Sequence, residues 1–432
     1  MISLARLPEL LDGRWLAPGE GVATGASIDT RTLGLGQIFF ALSGNQVDGH
    51  DYLQQAAERG ASVAIVERDA SPSKGLPVLR VANVQAAMWT LAASYRSTLR
   101  ARVIAVMGSN GKTTTVRMLA AVLAQAMPTH ASQRSFNNAL GLPLTILNCP
   151  VDTHALVCEL GEGEPGALAR YAGLARPDIA VVTSVGRAHV GELGGLDAVR
   201  AEFAGALRAL GPESTAYVPE SEAWLHAPGR KAFGISGARH ADGGTKLELL
   251  DGSAWSVPVI GLHNASNAAA VIAVARDLGL ADHAIQAGLE PFEPADMRLA
   301  VREIGGATVL VDCYNANPDS MAAALRTLAE VAQGRHAVAV VGDMLELGEN
   351  SEAWHREMGR LARASADACV FIGPASRSAF QAAGNGEWFE SAHAAQDSVR
   401  RHVRPGAVIL LKASRGIALE RLLDALQRAS VA

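Results

Sequence analysis

The glycine-containing turn that follows the apolar residues 103–107 carries the clearest chemistry in this sequence. The β-branched residues before it predict a buried strand, and residues 112–125 predict a helix. Backbone N–H groups in such a turn can surround phosphate oxygens, and the helix directs its positive end toward them. Lys112 would add charge at the outer phosphates, and the Thr113 hydroxyl would bind Mg²⁺. The sequence therefore predicts a site for ATP or GTP, formed by Gly108, Ser109, Asn110, Gly111, Lys112, Thr113 and Thr114.

The turn departs from the common form of the phosphate-binding loop. In G-x-x-x-x-G-K-[ST] the first glycine would fall at Val106, whereas this chain has only a shorter form that begins at Gly108. A chance Gly-Lys-Thr in an ordinary loop is the alternative. The strand before the turn and the helix after it are the context that the motif requires, so we favour nucleotide binding.

The composition predicts a multidomain α/β protein. A chain of 432 residues is too long for one hydrophobic core, so two to four domains are expected. A hydrophobic content of 49% and 43 glycines fit many tight turns between strands and helices. The net charge is −5 with both signs mixed along the chain, which argues against nucleic acid as the main partner.

No segment predicts a secretory or membrane protein. Residues 1–12 lack a basic start followed by an apolar core, so they do not form a signal peptide, and no apolar run approaches 18 residues. The four cysteines are scattered, which predicts reduced core residues rather than disulfides or a metal site. We therefore expect a cytoplasmic protein, and a monomer because no apolar surface stripe is evident. The cysteines are Cys149, Cys158, Cys313 and Cys369.

The order of the predicted elements indicates three domains. Residues 1–98 hold short strands and helices in a small α/β unit. Residues 99–293 alternate apolar strands with helices, which is typical of a parallel sheet covered on both faces. Residues 294–432 repeat that alternation as a second, Rossmann-like doubly wound sheet, with its crevice at the carboxyl ends of the strands. Strands are predicted at 38–42, 61–66, 103–107, 155–160, 178–185, 309–313, 337–341, 368–372 and 408–412.

Other patterns predict one hairpin and several helices. Residues 247–250 and 253–257 flank Asp251-Gly252, which is a common hairpin turn. Helices are predicted at 83–99, 112–125, 263–280, 318–331, 352–363, 393–402 and 418–427.

Polar side chains follow several of these strands and could form one site. Glu159 ends the strand after the loop helix, where phosphate-loop enzymes keep a metal-binding carboxylate. His189 follows the next strand, so Thr113, Glu159 and His189 could meet at one edge of the sheet and hold Mg²⁺. A solvent-facing carboxylate is the alternative for Glu159. An ordinary loop histidine is the alternative for His189, since histidine is an unusual Mg²⁺ ligand.

The polar turn at residues 135–145 contains two adjacent asparagines, Asn137 and Asn138. Asparagine side chains suit contacts to a sugar or an amide. They also cap turns well, so a purely structural role is the alternative.

Two strand ends in the C-terminal unit carry further candidates. Asp312 and Asn315 precede Asn317. Asn317 is followed by a proline at the first position of a predicted helix, so a capping role explains this asparagine without any chemical function. Asp312 and Asn315 have no such local explanation. Lys412 and Arg415 follow another strand, where their positive charge suits a carboxylate or phosphate. Surface basic residues are the alternative.

With these segments in view, the chain resembles the Mur ligases, the ATP-dependent family that forms amide bonds in peptidoglycan synthesis. The resemblance covers nearly the whole chain, and the short phosphate loop is the form that this family uses. Several matching strings in the right order make the resemblance specific. They lie at 27–31, 36–44, 48–50, 108–114, 137–145, 261–264, 267–268, 297–299, 312–318, 342–348 and 412–416.

The resemblance implies both a domain plan and a reaction. The motifs are most similar to those of members that add D-alanyl-D-alanine to UDP-N-acetylmuramoyl-tripeptide. ATP would phosphorylate the terminal carboxylate of that precursor, and the amine of D-alanyl-D-alanine would attack the acyl phosphate. The three domains would bind the uridine nucleotide, bind ATP and complete the ligase site, with ATP and Mg²⁺ as cofactors.

The resemblance also implies roles for individual residues. Lys112, Glu159 and His189 would be catalytic, and Thr113, Glu159 and His189 would hold Mg²⁺. The ATP site would extend to Asn267, Arg298, Asp312 and Asn315. Substrate contacts would come from Ser27, Arg31, Ala41, Leu42, Asp48, His50, Asn137, Asn138, Lys412, Ser414 and Arg415.

Residues 196–203 depart from the family pattern. Most Mur ligases carry here a lysine whose carbamate helps to hold a second Mg²⁺, but no lysine occurs between Lys112 and Lys231. Arg200 remains a cation and cannot replace the carbamate. Three explanations are open: Glu202 supplies the carboxylate, the site works with a weaker second metal, or the chain is a non-catalytic paralogue. We favour the first two together, because the other candidate residues are present.

Two competing functions follow from these observations. A related ligase acting on another acid, such as a folylpolyglutamate synthetase, should lack the strings at 27–50. A non-catalytic nucleotide-binding regulator has only the missing lysine in its favour. The third residue of the peptide, diaminopimelate or lysine, is open.

Overall fold

The computed structural model of the protein describes residues 2–44, 47–70, 75–133, 135–241 and 243–429. Three main sheets with helices packed against them follow one another along the chain. The predicted three-domain α/β class is confirmed. The boundaries after residues 98 and 293 stay predictions, because a sheet fixes the core of a unit rather than its ends.

The N-terminal unit combines short strands with short helices. Its strands are β1 (Ile2–Ser3), β2 (Arg14–Ala17), β3 (Val22–Ala23), β4 (Ala26–Ser27), β5 (Ile38–Phe40), β6 (Val63–Val66) and β7 (Val78–Arg80). Its helices are α1 (Leu7–Leu10), α2 (Leu53–Glu58) and α3 (Val84–Arg96). The main sheet has the order β2-β7-β6-β5-β4, and only β2 runs antiparallel. The side chain of Asn83 starts α3 by accepting a hydrogen bond from the Ala86 N–H group.

The central unit contains a parallel sheet and a smaller antiparallel one. Its strands are β8 (Arg102–Met107), β9 (Thr129–Ala131), β10 (Ala155–Glu159), β11 (Ile179–Val182), β12 (Thr215–Pro219), β13 (Lys231–Phe233), β14 (Ile235–Ala241), β15 (Gly244–Leu249) and β16 (Ala254–Val257). Its helices are α4 (Lys112–Leu123), α5 (Gly141–Leu147), α6 (Ala167–Ala175), α7 (Val190–Leu193), α8 (Leu196–Arg208), α9 (Leu262–Asp277) and α10 (Asp282–Leu289). The parallel sheet has the order β13-β12-β11-β8-β10-β9.

Both faces of this parallel sheet are covered, as the apolar strands predict. Successive residues of β8 alternate between two hydrophobic cores, one on each face of the sheet. Val103 and Met107 pack with one set of buried residues that includes Phe203 of α8. Ile104 and Val106 pack with another set, which α4 and α9 supply. The strand is therefore buried on both sides and holds the turn that follows it at the edge of the sheet.

The predicted hairpin is confirmed as β15 and β16, joined by a turn at Asp251-Gly252. The preceding strand β14 pairs antiparallel with β15 and was not predicted. Residues of β14 are exposed or only partly buried, so the strand lacks the apolar alternation that would have revealed it.

The C-terminal unit is a six-stranded sheet between helices. Its strands are β17 (Ala300–Ile304), β18 (Ala307–Asp312), β19 (Ala337–Gly342), β20 (Ala368–Ile372), β21 (Glu387–Phe389) and β22 (Val408–Lys412). Its helices are α11 (Pro318–Ala332), α12 (Ser351–Ser365), α13 (Ser376–Ala383), α14 (Gln396–Arg401) and α15 (Arg421–Ala429). The order is β17-β18-β22-β19-β20-β21, and only β17 runs antiparallel.

Several elements of this unit differ from the prediction. Helix α15 begins at Arg421 rather than Ala418, because Ala418 has a left-handed backbone with φ of 56°. Helix α14 begins at Gln396 rather than His393. The short elements β17, α13 and β21 were not predicted.

Two predictions about composition can be compared with the structure. All four cysteines are buried and none is disulfide-bonded, as predicted. Among the described residues, no helix is both long enough and apolar enough to span a bilayer.

Asn148 joins the N-terminal unit to the central one. Its Oδ1 accepts hydrogen bonds from the Ala26 N–H group at 3.0 Å and from Nε2 of Gln37 at 2.9 Å. Its Nδ2 donates to the carbonyl oxygens of Ala26 at 2.8 Å and Leu144 at 2.9 Å. One amide side chain thus pairs with the edge strand β4 much as another strand would.

We predict that Asn148→Ala lowers the free energy of unfolding by about 2 kcal/mol, because partly buried backbone groups of Ala26 lose their partners. Denaturant titration followed by circular dichroism measures the change. Asn148→Asp keeps the acceptor but turns a carboxylate oxygen toward the carbonyl oxygens of Ala26 and Leu144, so it should be at least as destabilised as the alanine variant. An alanine variant as stable as the parent would contradict this role.

Candidate active site

The carboxyl ends of β8, β10 and β11 open into a cleft of about 1130 Å³ between the central and C-terminal units. Most of the predicted site residues line it. They are Ser109, Asn110, Gly111, Lys112, Thr113, Thr114, Asn137, Asn138, Glu159, His189, Asn267, Arg298, Asp312, Asn315, Lys412, Ser414 and Arg415.

The turn after β8 requires both of its glycines. Gly108 has φ of 147°, and a Cβ atom there would lie 1.9 Å from Oγ1 of Thr183. Gly111 has φ of 86°, and a Cβ atom there would lie 2.3 Å from Oδ1 of Asn267. The backbone conformation and the close neighbours both exclude larger residues. Helix α4 begins directly after Gly111, so its N-terminal N–H groups face the cleft.

Glu159 lies at the end of β10 with one carboxylate oxygen satisfied and one free. Oε1 accepts hydrogen bonds from Oγ1 of Thr113 at 3.1 Å and from Nδ2 of Asn137 at 2.8 Å. Oε2 is buried and has no hydrogen-bond partner among the described residues. Burial raises the pKa of Glu159, although the charges of Lys112 and Arg298 oppose that shift. A buried, unsatisfied carboxylate oxygen beside a threonine hydroxyl fits a divalent cation.

Lys112 contacts a residue that sequence reasoning missed. Its Nζ donates to the carbonyl oxygen of Gly108 at 2.6 Å and lies 2.7 Å from Oε2 of Glu162. Glu162 lines the cleft, and its side chain is fully buried. A second glutamate three residues after Glu159, within the sequence Gly-Glu-Gly-Glu, was the available signal.

His189 faces two carboxylates, one from each side of the cleft. Its Nδ1 lies 2.7 Å from Oε2 of Glu192 and 3.3 Å from Oε2 of Glu346. The ligand atoms of these three side chains all lie within 4.8 Å of one another. His189 therefore has partners in both units, and its role as a Mg²⁺ ligand stays a prediction.

The structure does not bring Glu202 to the cleft, which corrects the proposal that it supplies the missing carboxylate. Its Oε2 accepts a hydrogen bond from the Gly166 N–H group and its Oε1 one from the Leu168 N–H group, each at 2.7 Å. These groups lie at the N-terminal end of α6, where a helix favours negative charge. Both oxygens are thus already used, and Glu202 is not among the described residues that line the cleft.

The C-terminal wall of the cleft carries three basic side chains. Lys412 is 1% exposed, and its Nζ lies 2.7 Å from Oδ2 of Asp312. Arg415 pairs with Glu420 at 2.7 Å and remains about half exposed. Arg298 lies 4.2 Å from the centre of the Tyr314 ring, between Met297 and Leu299, which both have positive φ.

The asparagines of the site divide between capping and bridging roles. Oδ1 of Asn138 accepts from the Leu140 and Gly141 N–H groups, which is the capping role considered from the sequence. Asn317 caps α11 as predicted, but capping does not explain it fully. Its Nδ2 also donates to Oδ1 of Asn110 at 2.8 Å, across the cleft.

The predicted uridine-site residues lie outside this cleft, and several of their polar side chains are paired with nearby residues. Arg31 pairs with Asp29 through two nitrogens and is largely exposed. Asp48 accepts from Nδ1 of His50 at 2.7 Å, while Nε2 of His50 accepts from the Glu67 N–H group. The predicted substrate residues absent from the cleft's described lining are Ser27, Arg31, Ala41, Leu42, Asp48 and His50, and Gly108 of the predicted ATP site is absent from it as well.

His263 lines the cleft and was not singled out individually. Its side chain is exposed to the cleft, and desolvation by the protein atoms around the ring lowers its pKa. At neutral pH it is therefore an uncharged imidazole. Asn264 lies beside it and accepts a hydrogen bond from Asn267 at 3.1 Å.

Arg187 holds the two walls of the cleft together. It belongs to the loop after β11, and its Nε donates to Oδ1 of Asp319 on α11 at 2.8 Å. Its backbone N–H group donates to the other oxygen of Asp319 at 2.6 Å. The guanidinium also lies 4.6 Å from the centre of the Trp354 ring on α12. These contacts keep the C-terminal unit close to the phosphate loop.

Comparison with known proteins places this fold and cleft in one family. The middle domain of Mur ligases matches residues 106–275, the glutamate ligase domain of Mur ligases matches 297–415, and the catalytic domain of the Mur ligase family matches 23–96. The chain belongs to the Mur ligase family.

Individual relatives resemble the chain along almost its whole length. The UDP-N-acetylmuramoyl-tripeptide–D-alanyl-D-alanine ligase of Escherichia coli is 33% identical over 99% of this chain and 98% of its own. The ligase of the same name from Bacillus subtilis is 31% identical over 97% of each chain.

Solved structures agree with these relatives. A crystal structure of MurF from Acinetobacter baumannii has a TM-score of 0.89 at 29% identity and covers 99% of each chain. MurF ligase from Thermotoga maritima, solved in complex with ADP, has a TM-score of 0.82 at 25% identity over 94% of this chain and 98% of its own.

We predict that Glu202→Gln lowers the free energy of unfolding by about 1–2 kcal/mol, because the charge that favours the N-terminal end of α6 is lost. The Mg²⁺ concentration that gives half-maximal nucleotide binding should not change. Denaturant titration and calorimetry measure the two quantities. A several-fold weaker Mg²⁺ response with unchanged stability would restore Glu202 as a metal ligand.

We predict that Arg187→Ala shifts the equilibrium between open and closed units toward the open form by roughly tenfold, since a charge-assisted contact is lost. Small-angle X-ray scattering should report a larger radius of gyration. Arg356→Ala is the matched control, because Arg356 pairs with Glu352 on the surface of α12. Equal radii for both variants and the parent would contradict the prediction.

Proposed function

We propose that this protein is an ATP-dependent ligase that joins D-alanyl-D-alanine to UDP-N-acetylmuramoyl-tripeptide through an acyl-phosphate intermediate. Relatives named for this reaction match the chain over nearly all of its length. The observation that carries the proposal is the position of the phosphate loop. Lys112 and Thr113 lie in one cleft with Glu159 and face Lys412 and Arg415 on the opposite wall.

The phosphate loop suits the first half of this reaction. Backbone N–H groups at the start of α4 would bind the phosphates of ATP, and Lys112 would offset charge on the transferred phosphoryl group. Thr113 and Glu159 would hold a Mg²⁺ ion, which neutralises phosphate charge when it is bound. A carboxylate oxygen of the tripeptide attacks the γ-phosphorus, and ADP leaves with the electrons of the broken P–O bond.

The C-terminal wall suits the second half. Lys412 and Arg415 provide positive charge for carboxylates of the peptide substrates. The amine of D-alanyl-D-alanine attacks the acyl carbon, loses one proton and releases phosphate. An acyl phosphate would hydrolyse in open water, so the contacts of Arg187 and Asn317 across the cleft favour the amide product by keeping the units closed.

Several finer features belong to the same proposal. The N-terminal unit, residues 1–98, binds the uridine nucleotide with the residues predicted above, and the enzyme acts as a cytoplasmic monomer where ATP and the UDP-linked precursor occur. Residues 99–293 and 294–432 form the ATP-binding and ligase domains. The cleft accommodates small-molecule substrates, and no nucleic acid or membrane takes part.

One assay tests this function. Purified protein with ATP, Mg²⁺, D-alanyl-D-alanine and each tripeptide precursor should give ADP, phosphate and the pentapeptide product, detected by mass spectrometry. Lys112→Met should lower kcat by about 10²–10³-fold, the usual effect of removing one group that stabilises the transition state. Lys231→Met is the control, because Lys231 pairs with Asp277 on the surface.

The other outcomes identify the competing functions. If neither tripeptide leads to phosphate release, the proposed substrate is wrong, and a ligase for another acid is indicated. Nucleotide binding without phosphate release under any combination of substrates would indicate a non-catalytic regulator. Full activity of Lys112→Met would contradict the assigned position of the triphosphate.

A further inference from the structure

Glu162 is a buried acid within the proposed nucleotide site that the reaction scheme does not use. Its side chain is fully buried, and Oε2 lies 2.7 Å from Nζ of Lys112. Oε1 is also buried and has no hydrogen-bond partner among the described residues. Among the residues that the structure describes, one contact therefore holds the carboxylate, and it is made to the lysine of the phosphate loop.

Stability alone does not explain this pair. Removing two charges from water has a large cost, which is offset only when hydrogen bonds satisfy the remaining polar atoms. Here, counting only described residues, one carboxylate oxygen stays unsatisfied, and Lys112 has one further partner, the carbonyl oxygen of Gly108. A pair with such incomplete satisfaction indicates a role for Lys112 beyond stability.

The ammonium of Lys112 is needed in two places. In the structure it lies against Glu162, at the base of the phosphate loop. In the reaction it must approach the outer phosphates, which are also anions. A carboxylate and a phosphate compete for the same ammonium. A stronger contact between Lys112 and Glu162 therefore reduces the binding free energy that Lys112 contributes when a phosphate binds.

We propose that Glu162 is a positioning residue that holds Lys112 while the site is empty, yields it to the phosphates of a bound nucleotide, and takes it back when the products leave. The proposal rests on the nucleotide-binding function assigned above. Glu162 then lowers the affinity for ADP, which favours product release, and it keeps the lysine from adopting unproductive positions.

The charge-neutral, isosteric variant Glu162→Gln tests this role. Without the competing carboxylate, ADP should bind about tenfold more tightly, the scale of one hydrogen bond to a charged group. Calorimetry with ADP and EDTA measures the dissociation constant without any contribution from a metal. ADP should also inhibit turnover at correspondingly lower concentration, with kcat reduced more than the KM for the tripeptide is changed.

Glu164→Gln is the matched control. Glu164 lies in the same loop and also lines the cleft, but it is exposed and pairs with Arg170. Both variants remove one negative charge from the cleft, so a general electrostatic effect would strengthen ADP binding in both, although less in Glu164→Gln, because solvent screens the exposed charge. The proposal requires the effect in Glu162→Gln alone.

Glu162→Asp provides a graded second test should the glutamine variant fold poorly, which thermal unfolding reports. The shorter side chain keeps the charge but weakens the contact with Lys112, so the affinity for ADP should lie between those of the parent and the glutamine variant. Unchanged or weaker ADP binding in both variants would overturn the role of Glu162. Absence of ADP binding in the parent protein would instead overturn the nucleotide site itself.

Discussion

The parallel register of β8, β10 and β11 is the constraint on which the site depends. Glu159 is the register partner of Val106, and Val182 is the partner of Met107. All three strands therefore end together, and the turn after β8, the carboxylate after β10 and the loop after β11 reach the same edge. Because these strands are buried on both faces, a slip by one residue would move every side chain into the opposite core, where it would not fit its neighbours, so packing fixes the position of the chemistry.

Contacts across the cleft couple this edge to the C-terminal unit. The amide groups of Asn110 and Asn317 bond each other, so the phosphate loop contacts the residue that caps α11. Asp319, in the first turn of the same helix, receives Arg187 from the central unit. The start of α11 therefore contacts both the phosphate loop and the loop after β11. A movement of one wall relative to the other would have to break or shift these contacts.

The sequence predicted the features that local patterns determine. Continuous apolar strands indicated the buried parallel sheets, and the glycines around Lys112 indicated a loop that only glycine permits. The missed strand β14 carries too little apolar alternation, and its position depends on pairing with β15. Glu202 was assigned wrongly because its function depends on α6, whose N-terminal groups lie about thirty-five residues earlier in the chain. Sequence spacing cannot show which partner a buried carboxylate selects.

The lysines of the cleft share one electrostatic arrangement. Lys112 pairs with the buried Glu162, and Lys412 pairs with Asp312, each at 2.7 Å. Each ammonium group is therefore already paired with a carboxylate. An anionic substrate must compete with that carboxylate to bind the lysine. Within the part of the chain that the structure describes, no carboxylate bonds the backbone N–H groups at the start of α4, and these groups supply a fixed positive potential. We therefore expect the attraction of phosphate to depend first on the helix terminus, and the paired lysines to change partners only after an anion has entered.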